Sequence, residues 1–84
     1  MYEKEVLIKN KIGLHAKPVA NFVKKANEYK SLIYVIKENT IANGKSLLGL
    51  LALGVGSNTI LKVSAEGVDE EQAVEALVEL LQNY

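Results

Sequence analysis

Gly13-Leu14-His15-Ala16-Lys17-Pro18 is where the chain changes its period. Before it, Tyr2, Lys4, Val6 and Ile8 alternate with Glu3, Glu5 and Leu7. That is the period of a strand, and it turns Val6 and Ile8 inward. After it, Ala16, Val19, Ala20, Val23 and Ala26 recur at three- and four-residue spacing, with Phe22 and Tyr29 widening the stripe. This predicts a helix from Ala16 to about Glu28 with Phe22 in the core. Pro18 fits the first helical turn, where its missing N–H would have had no intrahelical partner. Gly13 can take a backbone conformation closed to most residues. His15, the only histidine, then stands at or just before the N-cap, beside unpaired backbone N–H groups and the positive end of the helix dipole. Lys17 adds a positive charge. An imidazole in that setting is a candidate phosphoryl carrier. Taken alone, a single histidine is as readily a surface residue.

Outward from this junction the elements follow in order. Ser31 to Lys37 is almost continuously apolar and reads as a strand. Glu38-Asn39 turns the chain, and Thr40-Ile41-Ala42 returns as a short third strand. Asn43-Gly44-Lys45-Ser46 is a loop that lacks the glycine spacing of a nucleotide-binding phosphate loop. Ser46 is the expected N-cap of a short helix from Leu47 to Leu53. Leu47, Leu50, Leu51 and Leu53 or Gly54 are expected to face the sheet and Leu48 to point outward, leaving a small apolar patch. Gly49 weakens the helix and gives room for packing or for close approach by another protein. Thr59 to Ala65 alternates again, with Leu61, Val63 and Ala65 on one face. Asp69 and Gln72 have the spacing of a capping box, with Val68 set to pack on Ala73. The last helix runs to about Gln82 and buries Ala73, Val74, Leu77, Leu80 and Leu81.

The order β-α-β-β-α-β-α, with four strands and three helices that each need cover, predicts an α+β fold. Its expected form is an open-faced β-sandwich, a mostly antiparallel four-stranded sheet with all helices on one face. The 84 residues are expected to form a single domain, 1–84, with a modest core. Ten basic residues balance ten acidic ones, which argues against nucleic acid and acidic membrane surfaces as partners. The chain has no cysteine and one histidine, so neither a disulfide framework nor a structural zinc site is expected. No signal peptide or membrane span is legible, and the expected location is the cytoplasm. No cofactor or metal is expected, and the chain is expected to be a monomer.

Gly13-Leu14-His15-Ala16-Lys17-Pro18 together with Lys45-Ser46-Leu47-Leu48-Gly49 resembles HPr, the histidine-containing phosphocarrier family of the phosphoenolpyruvate-dependent sugar phosphotransferase system. The resemblance covers essentially the whole chain. It implies the open-faced sandwich, with the two motif loops near each other. It also implies that His15 accepts phosphate from enzyme I and passes it to a sugar-specific enzyme IIA, as a relay without turnover of its own. Lys17 stands where the family has arginine and keeps the charge without the planar multi-donor fork. Val19 replaces a usual alanine, Ile12 a small polar residue, and Leu47-Leu48 the commoner Ile-Met. Ser46 matches the regulatory serine that an HPr kinase/phosphorylase modifies, the modified form acting with a catabolite-control transcriptional regulator. Leu47, Leu48, Gly49 and Leu51 are the candidate partner-binding residues. Two alternatives follow from the resemblance. One is an HPr-like regulatory protein acting mainly through phospho-Ser46. The other is an accessory carrier for a non-sugar substrate.

Overall fold

The computed structural model describes residues 1–9 and 16–83. Seven elements follow one another: β1 (Tyr2–Ile8), α1 (Ala16–Ala26), β2 (Leu32–Lys37), β3 (Thr40–Asn43), α2 (Leu47–Leu53), β4 (Thr59–Glu66) and α3 (Glu70–Gln82). The strands form one sheet in the order β1-β4-β2-β3, and every neighbouring pair is antiparallel. This is the α+β open-faced sandwich expected from the sequence. The last strand, β4, lies between the first and the second. Val6 sits opposite Leu61, and Val63 opposite Val35.

Strand alternation decides which face is covered. Val6, Ile8, Ile33, Val35, Ala42, Leu61, Val63 and Ala65 are buried on one face. Leu32, Tyr34, Ile41 and Ile60 are exposed on the other, which no helix covers. β2 is apolar along its length but wet on one side. The helices bring Val19, Phe22 and Ala26 from α1, Leu50 and Leu53 from α2, and Ala73, Val74, Leu77, Val78 and Leu81 from α3. Each large apolar side chain buried there contributes about 1.5–3 kcal/mol relative to exposure.

Several expectations change in detail. α1 ends at Ala26, two residues earlier than its pattern suggests, and Ala20 is exposed. Tyr29 still packs against the core from the turn that follows. Val78 joins the buried face of α3, while Leu80 is only partly covered. Glu38 in the β2–β3 turn takes φ 54°, a region in which glycine is at ease and glutamate is not.

The start of α3 differs most. Asp69 occupies the N-cap position but makes no cap bond there. Its carboxylate instead accepts from the Ser31 hydroxyl, from the Lys30 N–H at 2.9 Å and from the Ser31 N–H at 3.0 Å. Three donors from the α1–β2 loop outweigh the single N–H that a local cap offers. The expected Asp69–Gln72 capping box is therefore not formed. Glu70 reaches back instead, accepting from the Gly67 N–H at 3.1 Å. Val68 is 90% exposed and does not staple to Ala73. Gly67 lies against buried Ser31, and a Cβ there would fall 2.7 Å from the Ser31 Cα. Only glycine lets the two loops approach that closely.

The displaced carboxylates share this region. Asp69 is held below the usual carboxylate range by the Ser31 hydroxyl and then by the Lys30 N–H. Glu70 is lowered by the Gly67 N–H and by the chain's amino terminus, 3.1 Å away. Glu75 is lowered by Lys4 and by the Tyr2 hydroxyl, both of which bond to it. A carboxylate whose folded pKa is depressed stabilises the fold fully above its unfolded value, near 3.9–4.3. That contribution is lost as pH falls through the folded pKa. The expected outcome is an unfolding free energy that declines below about pH 4, with a shallower decline in Asp69→Asn, read from urea denaturation across pH. Gly67→Ala is expected to destabilise by about 1–3 kcal/mol in the same assay at neutral pH, because the Ser31 backbone must give way.

Candidate functional site

Two helices build the site. α1 opens at Ala16, directly after His15, as the change of period predicts. His15, Ile12 and Gly13 themselves lie outside the described residues. Lys17 is exposed at the first turn, and Pro18 is buried beside it. Val19 is buried as well, so the larger side chain at this position fills core space and leaves the helix surface unchanged. α1 carries Lys17, Lys24 and Lys25 and no acidic residue. The two lysines of its last turn oppose the negative end of the dipole.

Ser46 begins α2 as expected. Its backbone is extended, at φ −110° and ψ 114°, and its hydroxyl accepts from the Gly49 N–H at 3.1 Å. The loop before it is tied from several sides. The Gly44 N–H donates to the Ile33 carbonyl at 2.7 Å, so close that a Cβ at Gly44 would fall 2.5 Å from Ile33 Cγ2. The Ser46 N–H donates to the Asn43 carbonyl at 3.1 Å, and the Lys45 N–H to the Asn43 side-chain oxygen at 2.8 Å. Lys45 Nζ reaches across to the Tyr29 carbonyl at 2.7 Å, joining the start of α2 to the end of α1. At the other end, Gly54 caps α2 in the left-handed region, φ 68° and ψ 60°. Its carbonyl accepts from Lys37 Nζ at 2.7 Å.

Leu50 and Leu53 face the interior, where they share one apolar lining with Val19 and Phe22 of α1. α1 and α2 are thus neighbours, and Lys17 and Ser46 belong to adjoining helices. Leu48 is 79% exposed, as expected. Leu47 and Leu51, expected to face the sheet, remain 41% and 40% exposed. A two-turn helix has only one narrow inward stripe, and Leu50 and Leu53 occupy it. The apolar patch is therefore wider than expected: Leu47, Leu48 and Leu51 together, with Gly49 between them. The tethers from Lys37 and Lys45 were not legible, because they join residues 16 and 17 positions apart and their acceptors are backbone carbonyls.

Charge is segregated by helix. α3 carries Glu70, Glu71, Glu75 and Glu79 and no basic residue, in contrast to α1. The groups with displaced pKa values, Tyr2, Lys4, Asp69, Glu70 and Glu75, lie on β1 and at or near the start of α3. They brace the fold and are not part of the α1–α2 pair. Among the described residues no cluster of metal-ligating side chains occurs, and no helix is long and apolar enough to cross a membrane.

Comparison with known proteins places this architecture. A family model described as the PTS HPr component phosphorylation site matches residues 2–83. The chain is 42% identical over 82 residues to the HPr-like protein Crh of Halalkalibacterium halodurans, covering 98% of each. It superposes on an HPr (HPr-C-His) crystal structure from Thermoanaerobacter tengcongensis with TM-score 0.94 at 48% identity, covering 99% of this chain and 93% of that one. Crh from Bacillus subtilis, crystallised as a dimer with a swapped domain, aligns with TM-score 0.80 at 36% identity over 99% of this chain and 95% of that one.

The cap on α2 is directly testable. Ser46→Ala removes the acceptor for the Gly49 N–H and is expected to lower stability by about 1 kcal/mol. Ser46→Asp supplies an equivalent cap and is expected to stay near the wild-type value, both read from the urea midpoint.

Proposed function

This chain belongs to the HPr family, and from that premise we propose that it is a phosphoryl carrier of the phosphoenolpyruvate-dependent phosphotransferase system with His15 as acceptor. The observation that carries the reading is the start of α1 at Ala16, immediately after His15. Neutral imidazole is available as a nucleophile near pH 7. A ring nitrogen attacks the phosphorus of phosphorylated enzyme I, and the donor's bond to phosphorus breaks with its electron pair leaving on enzyme I. The reverse logic passes the group to enzyme IIA. The helix start favours the negative phosphoryl group once it is attached. Lys17 supplies a mobile counter-charge as a point cation. The protein partners align donor and acceptor, and most of the rate comes from that alignment.

Docking in this reading uses α2. Leu47, Leu48 and Leu51 give an apolar centre, and Lys17, exposed in the first turn of the adjoining α1, adds a positive charge suited to an acidic partner surface. Ser46 sits at the edge of that centre, so a phosphoryl group placed on it by an HPr kinase/phosphorylase brings about two negative charges into the docking face. This weakens docking by the carrier's partners and offers a recognition mark to a catabolite-control regulator. The chain acts as a single domain and a monomer in the cytoplasm. The alternative that acts mainly through phospho-Ser46 gives His15 and the adjoining helix start a lesser role.

The test is labelling by phosphoenolpyruvate and a bacterial enzyme I, with wild type and His15→Ala side by side. The expected outcome is acid-labile label on wild type and none on the variant. Acid-labile label retained by His15→Ala, or no label on wild type with an enzyme I of verified activity, overturns the reading.

A further inference from the structure

Seven residues do not hold a helix in place by themselves. α2 also carries Gly49 in its interior and no charged residue in either terminal turn. Leu50 and Leu53 anchor one side of it in the core. Its ends depend on groups from elsewhere. The N-terminal end has the Ser46 cap and the Lys45 link to the Tyr29 carbonyl. The C-terminal end closes on a Gly54 N–H to Leu51 carbonyl contact of 3.3 Å, long for such a bond. The short contact there is the 2.7 Å bond from Lys37 Nζ to the Gly54 carbonyl. Lys37 is the last residue of β2 and pairs with Thr40 across the hairpin. Among the described residues no carboxylate forms an ion pair with it. Its ammonium lies at the negative end of α2, where unpaired carbonyls gather.

We infer that Lys37 is a positioning residue for partner docking: its strap from the β2–β3 hairpin to the Gly54 carbonyl fixes the last turn of α2, and with it Leu51 in the apolar patch. The inference rests on the reading of α2 as the docking element. Lys37 acts through the helix and makes no contact with the reacting atoms. Leu53 and Val55 hold this end from inside the core, and the strap ties the carbonyl of the residue between them from the surface side.

Lys37→Met keeps the aliphatic stem and removes the donor, and Lys37→Arg restores a donor. Three readouts separate the roles. Hydrogen exchange of the amides at the end of α2 is expected to quicken about three- to tenfold in Lys37→Met, while β4 and α3 keep their protection. The KM of enzyme I for the chain is expected to rise by a similar factor, with kcat within about twofold. Phosphorylation of His15 by the small donor phosphoramidate, which needs no docking, is expected to be unchanged. Lys37→Arg brings the exchange and KM values back towards wild type. Unchanged exchange in Lys37→Met overturns the inference, whether or not KM rises, because a rise alone means that Lys37 touches the partner directly. Faster exchange with an unchanged KM overturns it too, because docking then does not need the strap. Wild type that takes phosphate from phosphoramidate but not from enzyme I overturns the carrier reading and the docking role together. The exchange comparison, made without a partner, still reports on the strap in that case.

Discussion

The placement of β4 between β1 and β2 is the constraint on which the rest depends. β4 supplies Leu61, Val63 and Ala65, all fully buried, and its neighbours supply Val6, Ile8, Ile33 and Val35 around them. With that row in place the sheet has one dry face, and all three helices must cover it. The pairing joins residues about sixty positions apart in the case of β1 and β4. Interactions at the ends of the two inner strands, such as the Asp69 carboxylate on the Lys30 and Ser31 donors, then lock the loop before β2 to the loop after β4.

The helices are not equally secure. α3 has thirteen residues and five buried side chains, and α1 has eleven residues and a buried Phe22. α2 has seven residues and two buried leucines. Beyond those two anchors, its position is set by groups outside it, from the Ser46 loop and from Lys37 and Lys45. A short helix held from outside can expose three leucines without losing its place. The placing of that exposed apolar patch therefore depends in part on residues that do not belong to it.

The division of charge has the same origin in sequence and a different consequence in space. Counted along the chain, ten lysines and ten acids cancel. Folded, α1 is basic and α3 is acidic, so the molecule is polar although it is neutral. Net neutrality gives the molecule as a whole no pull towards polyanions. Polarity still gives an approaching partner a preferred side.

Local information was enough for most of the fold. Alternation in Tyr2–Ile8 and Thr59–Ala65, the apolar run and turn of residues 31–42, the helical spacing after Ala16 and again after Asp69, and the serine before the leucine run determine the order and type of every element. They do so because strand and helix periods and N-caps are properties of a few adjacent residues. The motif around His15 and the one at Ser46 were legible for the same reason, and they carried the family. Tertiary structure decided the strand order, the exposure of Leu47 and Leu51, the diversion of Asp69 from its cap to the α1–β2 loop, and the lysine tethers of α2. Apart from the exposure of the two leucines, which follows from how a two-turn helix sits on the core, each of these joins groups far apart in sequence, largely through backbone donors and carbonyls. Such partners leave no mark in residue type, and only their meeting in space selects them.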